Sequence, residues 1–234
     1  MAGLGREGTN PDVSLLQDIN GLARSAPPWF NRAMEFAGEY GIIIALVLLM
    51  LWCCWTVRRL GDERESVSAL AALVWTPFAA GAALLVNMPI RDFVERPRPF
   101  AEHQGIQVLA RGETGFSFVS DHATLAMALG VGLFMAHRRI GFAAIGLALV
   151  EGYCRVYLGG HYPTDVVGGF ALGTAVTLLF APLALALLTP PLTALARSRR
   201  ARRLVRSRRA VARSGRREQD CEQELERHET GLAA

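Results

Sequence analysis

Five runs of this chain, at residues 41–57, 67–90, 123–136, 140–153 and 166–188, hold no charged side chain other than Glu151. Crossing a bilayer core of about 30 Å takes about 20 helical residues, with roughly 17–25 tolerated. A helix also satisfies its own backbone polar groups in lipid. The runs therefore predict an all-α, polytopic membrane helix bundle of about five transmembrane helices. The third and fourth runs are short by that measure. The turn His137-Arg138-Arg139 between them can carry its charges to the interface, and polar residues at the far ends extend both helices. The other reading of this pair is a re-entrant hairpin.

On either side of these runs the character of the chain changes. No apolar stretch directly follows the first eleven residues, so they are not read as a signal peptide. Leu15, Leu16, Ile19 and Leu22 fall at helical spacing, Pro27-Pro28 interrupts them, and Trp29-Phe30 follows. Residues 1–40 thus read as an N-terminal amphipathic helical segment. It either lies in the interface, with Trp29 as an anchor, or packs on the bundle. Residues 41–190 form the membrane domain. Residues 191–234 form a tail, basic over 197–217 and acidic over 218–229, read as a solvated extension beside anionic headgroups. No nucleic-acid partner is expected.

All 25 basic residues are arginine, so a single arginine says less here than usual. Their distribution still orients the chain. Arg58, Arg59, Arg64, Arg138, Arg139 and the basic tail share one side, which the positive-inside rule makes cytoplasmic. Loops 91–121 and 154–165 then share the outer face of a cell membrane. Arg91, Arg96, Arg98 and Arg111 lie there against the rule, which implies a use for them. Cys53, Cys54, Cys154 and Cys221 lack the spacing of a disulfide framework or a zinc site.

Three polar segments stand at the outer ends of the predicted spans: RDFVERPRP at 91–99, FSFVSDHA at 116–123 and CRVYLGGHYPTD at 154–165. Helix packing would gather them at one mouth. There they supply two histidines, a carboxylate four residues after one of them, a serine at a helix start and at least three arginines. Arginine holds phosphate oxygens bidentately. A helix N-terminus favours an anion, and Ser120 is placed to cap one. His161 with Asp165 suits a nucleophile, because a carboxylate on one ring nitrogen leaves the other lone pair free. His122 suits a general acid. Two histidines and an aspartate also resemble a zinc set, but the surrounding arginines would repel a cation and no third ligand follows.

These segments resemble the signature of the type 2 phosphatidic-acid phosphatase superfamily, which includes bacterial undecaprenyl-diphosphate phosphatases and vanadium haloperoxidases. That signature is lysine, six residues, Arg-Pro; then Pro-Ser-Gly-His; then Ser-Arg, five residues, His, three residues, Asp. Arg91, Arg98 and Pro99 match the first part, with arginine for lysine. Ser120 and His122 match the second, with Val119 for proline and Asp121 for glycine. Arg155, His161 and Asp165 match the third, with Cys154 for serine. The resemblance implies His161 as the phosphohistidine nucleophile, Asp165 as its partner and His122 as the acid. Arg91, Arg98, Ser120 and Arg155 would bind the substrate's phosphate, with no metal or cofactor.

The form Ser-Asp-His is similar to that of the undecaprenyl-diphosphate phosphatases. It implies a polyprenyl diphosphate converted to the monophosphate for lipid-carrier recycling. Phosphatidate or phosphatidylglycerophosphate is the alternative substrate. A non-catalytic lipid-phosphate transporter or binder is the alternative of another class. The haloperoxidases are soluble, and the apolar runs argue against them. The resemblance carries no expectation about oligomeric state. Four local expectations complete the reading. Glu151, one turn before Arg155, should orient it. Glu95 should pair with Arg91 or Arg98. Gly159-Gly160 should form a tight turn or let the backbone approach a phosphate. Asn87 should bridge helices by hydrogen bonds.

Overall fold

The computed structural model describes residues 10–60, 63–109 and 114–232, with side chains described through 196, apart from 59–60 and 63–65, and at 198. Within these residues the elements are helical: α1 (Pro11–Ser25), α2 (Pro28–Phe36), a π-helical turn (Ala37–Gly41), α3 (Ile42–Leu60), α4 (Glu63–Val94), α5 (Pro99–Glu102), α6 (Asp121–Ala136), α7 (Arg138–Tyr157) and α8 (Pro163–Leu232). Four stretches among them are long and apolar enough to cross a membrane: Pro28–Arg58, Ser66–Glu102, Arg138–Tyr157 and Pro163–Ala196. Asp121–Ala136 is a shorter apolar helix. Each coincides with one predicted run. The chain is therefore a multi-pass membrane helix bundle.

The patterning of α3 shows why lipid is its solvent. Ile42, Leu46, Cys53 and Val57 recur on one face and are buried, while Leu48, Leu51, Trp52 and Trp55 on the opposite face are exposed. A helix apolar on both faces needs protein on one side and hydrocarbon on the other. The central helix is α6. Ten of its residues, among them Ala123, Thr124, Ala128 and Leu133, are buried, and it packs mainly on α7 and α4. Its 16 residues span about 24 Å, short of a bilayer core. Because neighbouring helices rather than lipid enclose it, hydrocarbon thickness does not set its length. His137, Arg138 and Arg139 at its far end are exposed.

Backbone contact between α8 and α6 rests on glycines one turn apart. A Cβ at Gly173 would lie 2.4 Å from the Thr124 carbonyl oxygen, and one at Gly169 would lie 2.8 Å from that of Ser120. This small-xxx-small stripe brings the helices together without side chains between them. It also sets the start of α8 beside the start of α6, where the Ser120 amide donates to the Asp165 carbonyl at 3.2 Å.

The N-terminal segment packs on the end of the bundle that carries the three polar segments. Asn10 caps α1, accepting from the Asp12 amide at 3.1 Å, and Leu16, Asn20 and Ala23 are buried. The Asn20 side chain donates to the carbonyls of Gln107 and Tyr157 and accepts from the Gln107 amide. Of the two readings of this segment, packing on the bundle is the one realised for α1. Trp29, Phe36 and Tyr40 remain exposed, as interfacial aromatics are. The second compact unit is Pro190–Ala234, where the α8 helix continues to Leu232. Apart from Ser198, the side chains of the basic and acidic runs lie outside the described residues, as do residues 1–9 and Arg111.

Candidate active site

The site begins where α7 ends. Gly159 turns the chain with φ +75°, and a Cβ there would meet the Gln107 carbonyl oxygen at 2.8 Å. Only glycine combines that φ with that approach, so Gly159 is a tight turn packed on a neighbouring loop. The turn delivers His161 into the protein, 3% exposed. Its Nδ1 lies 2.8 Å from the Ser117 carbonyl oxygen. A carbonyl only accepts, so Nδ1 carries the proton and Nε2 keeps the lone pair.

Burial above all, then the charge of Arg155, and to a lesser degree His122 and Arg91, push the His161 pKa down to about 3, with the Ser117 carbonyl opposing. Arg155, His122 and Arg91 therefore all act on one imidazole, although they come from three different helices. The ring is expected to stay neutral, with its proton on Nδ1, from about pH 8 down to about pH 5. An unperturbed histidine would titrate near about 6.5. Nitrogen NMR of histidine-labelled protein in detergent measures this, and a His161 ring that protonates near its ordinary pKa would overturn it. The unfolded chain takes up this proton below about 6.5 and the folded chain does not. Stability is thus lost as pH falls from there toward 3.

Asp165 is fully buried in the first turn of α8. The expected arrangement puts its carboxylate on the ring nitrogen of His161. Instead its Oδ2 stands 3.9 Å from Nδ1 and accepts from the Tyr162 amide at 2.9 Å. Its Oδ1 pairs with Arg96 at 2.7 Å. The Ser117 carbonyl holds the tautomer, and Asp165 supplies negative charge behind the ring. Ser117 is itself fixed, its amide donating to the Arg96 carbonyl and its hydroxyl to that of Pro97.

His122 lies half-buried in the first turn of α6. Ser120 caps that helix, its hydroxyl accepting from the Ala123 amide at 3.4 Å, as the sequence predicts. Asn87 of α4 is buried and bridges to this turn, donating to the Val119 carbonyl at 3.0 Å and to Asp121 at 2.6 Å. Arg91, one helical turn further along α4, pairs with Asp121 at 2.5 Å. Its buried Nε has no hydrogen-bond partner. Glu95, expected to pair with Arg91 or Arg98, is exposed. Asp121 is the carboxylate that reaches Arg91.

Two other arginines have partners that local spacing did not indicate. Arg98 donates to the carbonyls of Gly115, Gly160 and Thr114 at 3.1–3.2 Å. It clamps the loop before α6 to the turn before His161, a role that requires a charged fork reaching several carbonyls. Arg155 is buried, and its carboxylate partner is Glu39 at 3.2 Å rather than Glu151. The π-helical turn brings Gly38 close enough for its carbonyl to accept from the same guanidinium. Such turns re-aim a helix at functional sites. Glu151 is buried, and neither of its carboxylate oxygens has a hydrogen-bond partner. Four contributors thus escaped the sequence reading as site residues: Ser117, Arg96, Glu39 and Asp12, whose carboxylate accepts from Arg96 at 2.6 Å. Arg96 lies inside a polar segment, but nothing local distinguishes it. Glu39 and Asp12 come from elements remote in sequence.

Among the described residues no group of three or more His, Cys, Asp or Glu side chains could hold a metal ion. The arrangement presents a buried imidazole with its Nδ1 on a carbonyl, the charge of Arg155 and Arg91 acting on it, a helix N-terminus and a second histidine. That set binds an anion and offers it a nucleophile and a proton donor.

The chain resembles known proteins in sequence and in fold. A family profile described as the PAP2 superfamily matches residues 72–187. The chain is 31% identical over 170 residues to undecaprenyl-diphosphatase BcrC of Bacillus subtilis, covering 72% of this chain and 82% of that protein. It is 30% identical over 165 residues to the putative undecaprenyl-diphosphatase YbjG of Escherichia coli, covering 70% and 78%. The crystal structure of a transmembrane PAP2-type phosphatidylglycerolphosphate phosphatase from Bacillus subtilis shares the fold. Its TM-score is 0.52 at 24% identity, over 75% of this chain and 87% of that one.

Proposed function

The chain belongs to the PAP2 superfamily and is a membrane lipid phosphatase, and from that premise we propose that it hydrolyses a polyprenyl diphosphate of the undecaprenyl type to the monophosphate, through a phosphohistidine intermediate. The observation that carries the mechanism is the buried His161 with its Nδ1 tied to the Ser117 carbonyl at 2.8 Å, which directs Nε2 as the nucleophile. The substrate class follows the two undecaprenyl-diphosphatase relatives.

In the reaction, Arg91, Arg155 and the N-terminus of α6 at Ser120 hold the terminal phosphate. His161 Nε2 attacks its phosphorus. The bond from phosphorus to the bridging oxygen breaks, and His122 protonates that oxygen as the lipid monophosphate leaves. The phosphorylated imidazole is cationic, and Asp165 offsets its charge. His122, now basic, takes a proton from water, which attacks phosphorus and releases orthophosphate and free His161. Arg98 holds together the two loops that line the phosphate. Positioning and charge supply most of the acceleration. The arginine distribution supports an outer-face site with the tail in the cytoplasm, suited to recycling a lipid carrier.

The test is phosphate release by detergent-purified protein from a panel of undecaprenyl diphosphate, phosphatidate and phosphatidylglycerophosphate, with and without a chelator. The highest kcat/KM is expected on the prenyl diphosphate, unchanged by the chelator. A preference for a glycerophospholipid overturns the substrate. Loss of activity on chelation overturns the metal-free step. No release from any lipid favours a binder or transporter.

A further inference from the structure

The start of α8 lacks something a helix normally has. The residue before Pro163 is Tyr162, whose side chain reaches away to Glu102 at 3.1 Å. It therefore offers no short acceptor to the first amides of the helix, which need one. Asp165, in the third helical position, bonds back to the Tyr162 amide, as one half of a capping box does. The missing acceptor comes from α1. Asp12 Oδ1 takes the Thr164 amide at 3.0 Å and its Oδ2 takes the Thr164 hydroxyl at 2.6 Å.

The same Oδ2 lies 2.6 Å from Arg96, whose other terminal nitrogen pairs with Asp165. Arg96 stacks on the Tyr162 ring, its central carbon 3.8 Å from the centroid, which sets the plane of the guanidinium. One cation thus stands between two carboxylates, one beside the reacting histidine and one on a helix outside the family match at 72–187.

We propose that Asp12 is a positioning residue for the reaction: it caps α8 and shares the charge of Arg96, and so sets the position and the effective charge of Asp165 behind His161. The inference rests on the phosphatase reading. Asp12 also holds its own proton loosely. Burial opposes this, but the hydrogen bonds from Thr164 and Arg96 outweigh it and lower the pKa below the ordinary carboxylate value.

If Asp12 loses its charge, Arg96 bears on Asp165 alone and neutralises it more fully. The cationic phosphohistidine is then less stabilised, while the groups that bind phosphate stay in place. Asp12→Asn keeps the size and an acceptor for Thr164, and removes the charge. Its kcat is expected to fall about 10–100-fold with KM within about twofold, the pattern of a transition-state rather than a binding defect. Asp12→Glu should recover part of the loss. Asp18→Asn, exposed on the same helix, should match wild type. The His161 nitrogen signals of Asp12→Asn should shift while those of His137 do not. Unchanged kcat and unshifted His161 signals would overturn the proposal. So would a rise in KM with a lowered melting point, because that is a folding defect alone. If wild type releases phosphate from no lipid, the phosphatase reading fails by itself, and the NMR comparison still decides whether Asp12 acts on His161.

Discussion

His161→Ala is expected to reduce phosphate release by at least about 10⁴-fold, because deleting a covalent nucleophile removes the route and not only a contact. No other described group combines a buried imidazole, a tautomer fixed by the Ser117 carbonyl and the nearby charge of Arg155 and Arg91. The substitution should cost little in binding, since Arg91, Arg155 and the α6 N-terminus remain. Lipid affinity, measured by inhibition with a non-hydrolysable analogue, should therefore stay within a few fold while turnover vanishes. Acid-labile, base-stable radiolabel on the wild-type protein after brief exposure to labelled substrate should be absent from the variant. Residual activity within about a hundredfold of wild type would mean water attacks phosphorus directly, and the covalent mechanism would fall.

The second large effect belongs to His122. As the proton donor to the leaving oxygen, it should be worth about 10²–10⁴-fold, and its value should depend on what leaves. A lipid monophosphate expels an alkoxide, a strong base that needs the proton. A lipid diphosphate expels a phosphate oxygen, which is far less basic. His122→Ala should therefore suppress hydrolysis of phosphatidate more than that of a prenyl diphosphate. Phenyl phosphate, whose phenoxide is less basic than an alkoxide but more basic than a phosphate oxygen, should fall between the two. Comparing kcat/KM ratios across the three substrates checks this. An equal loss on all three would assign His122 to phosphate binding and leave the acid unidentified.

The pattern of hydrophobicity was enough to read the bundle. Each apolar run became a helix, because lipid leaves the backbone no other way to satisfy its polar groups; the last of them, α8, continues well past the predicted end at 188, to Leu232. The short run 123–136 is the instructive case. Its length argued against a lipid-spanning helix, and its place at the centre of the bundle explains why that length suffices. The segments carrying His122, His161 and Asp165 were equally visible, since residue types and spacings specify which chemistry is available.

The partners of those residues were not visible. Local spacing put Glu151 on Arg155, Glu95 on Arg91 or Arg98, and Asp165 directly on the ring of His161. The fold chose Glu39, Asp121 and the Ser117 carbonyl instead. A side chain one helical turn away is near in sequence, but a guanidinium reaches across helix interfaces to whatever acceptor packing delivers. Composition and periodicity thus determined the membrane bundle and its inventory of reactive groups. Which acceptor meets which donor depends on how helices approach one another, through contacts such as Gly173 against Thr124, and only the tertiary structure decides that.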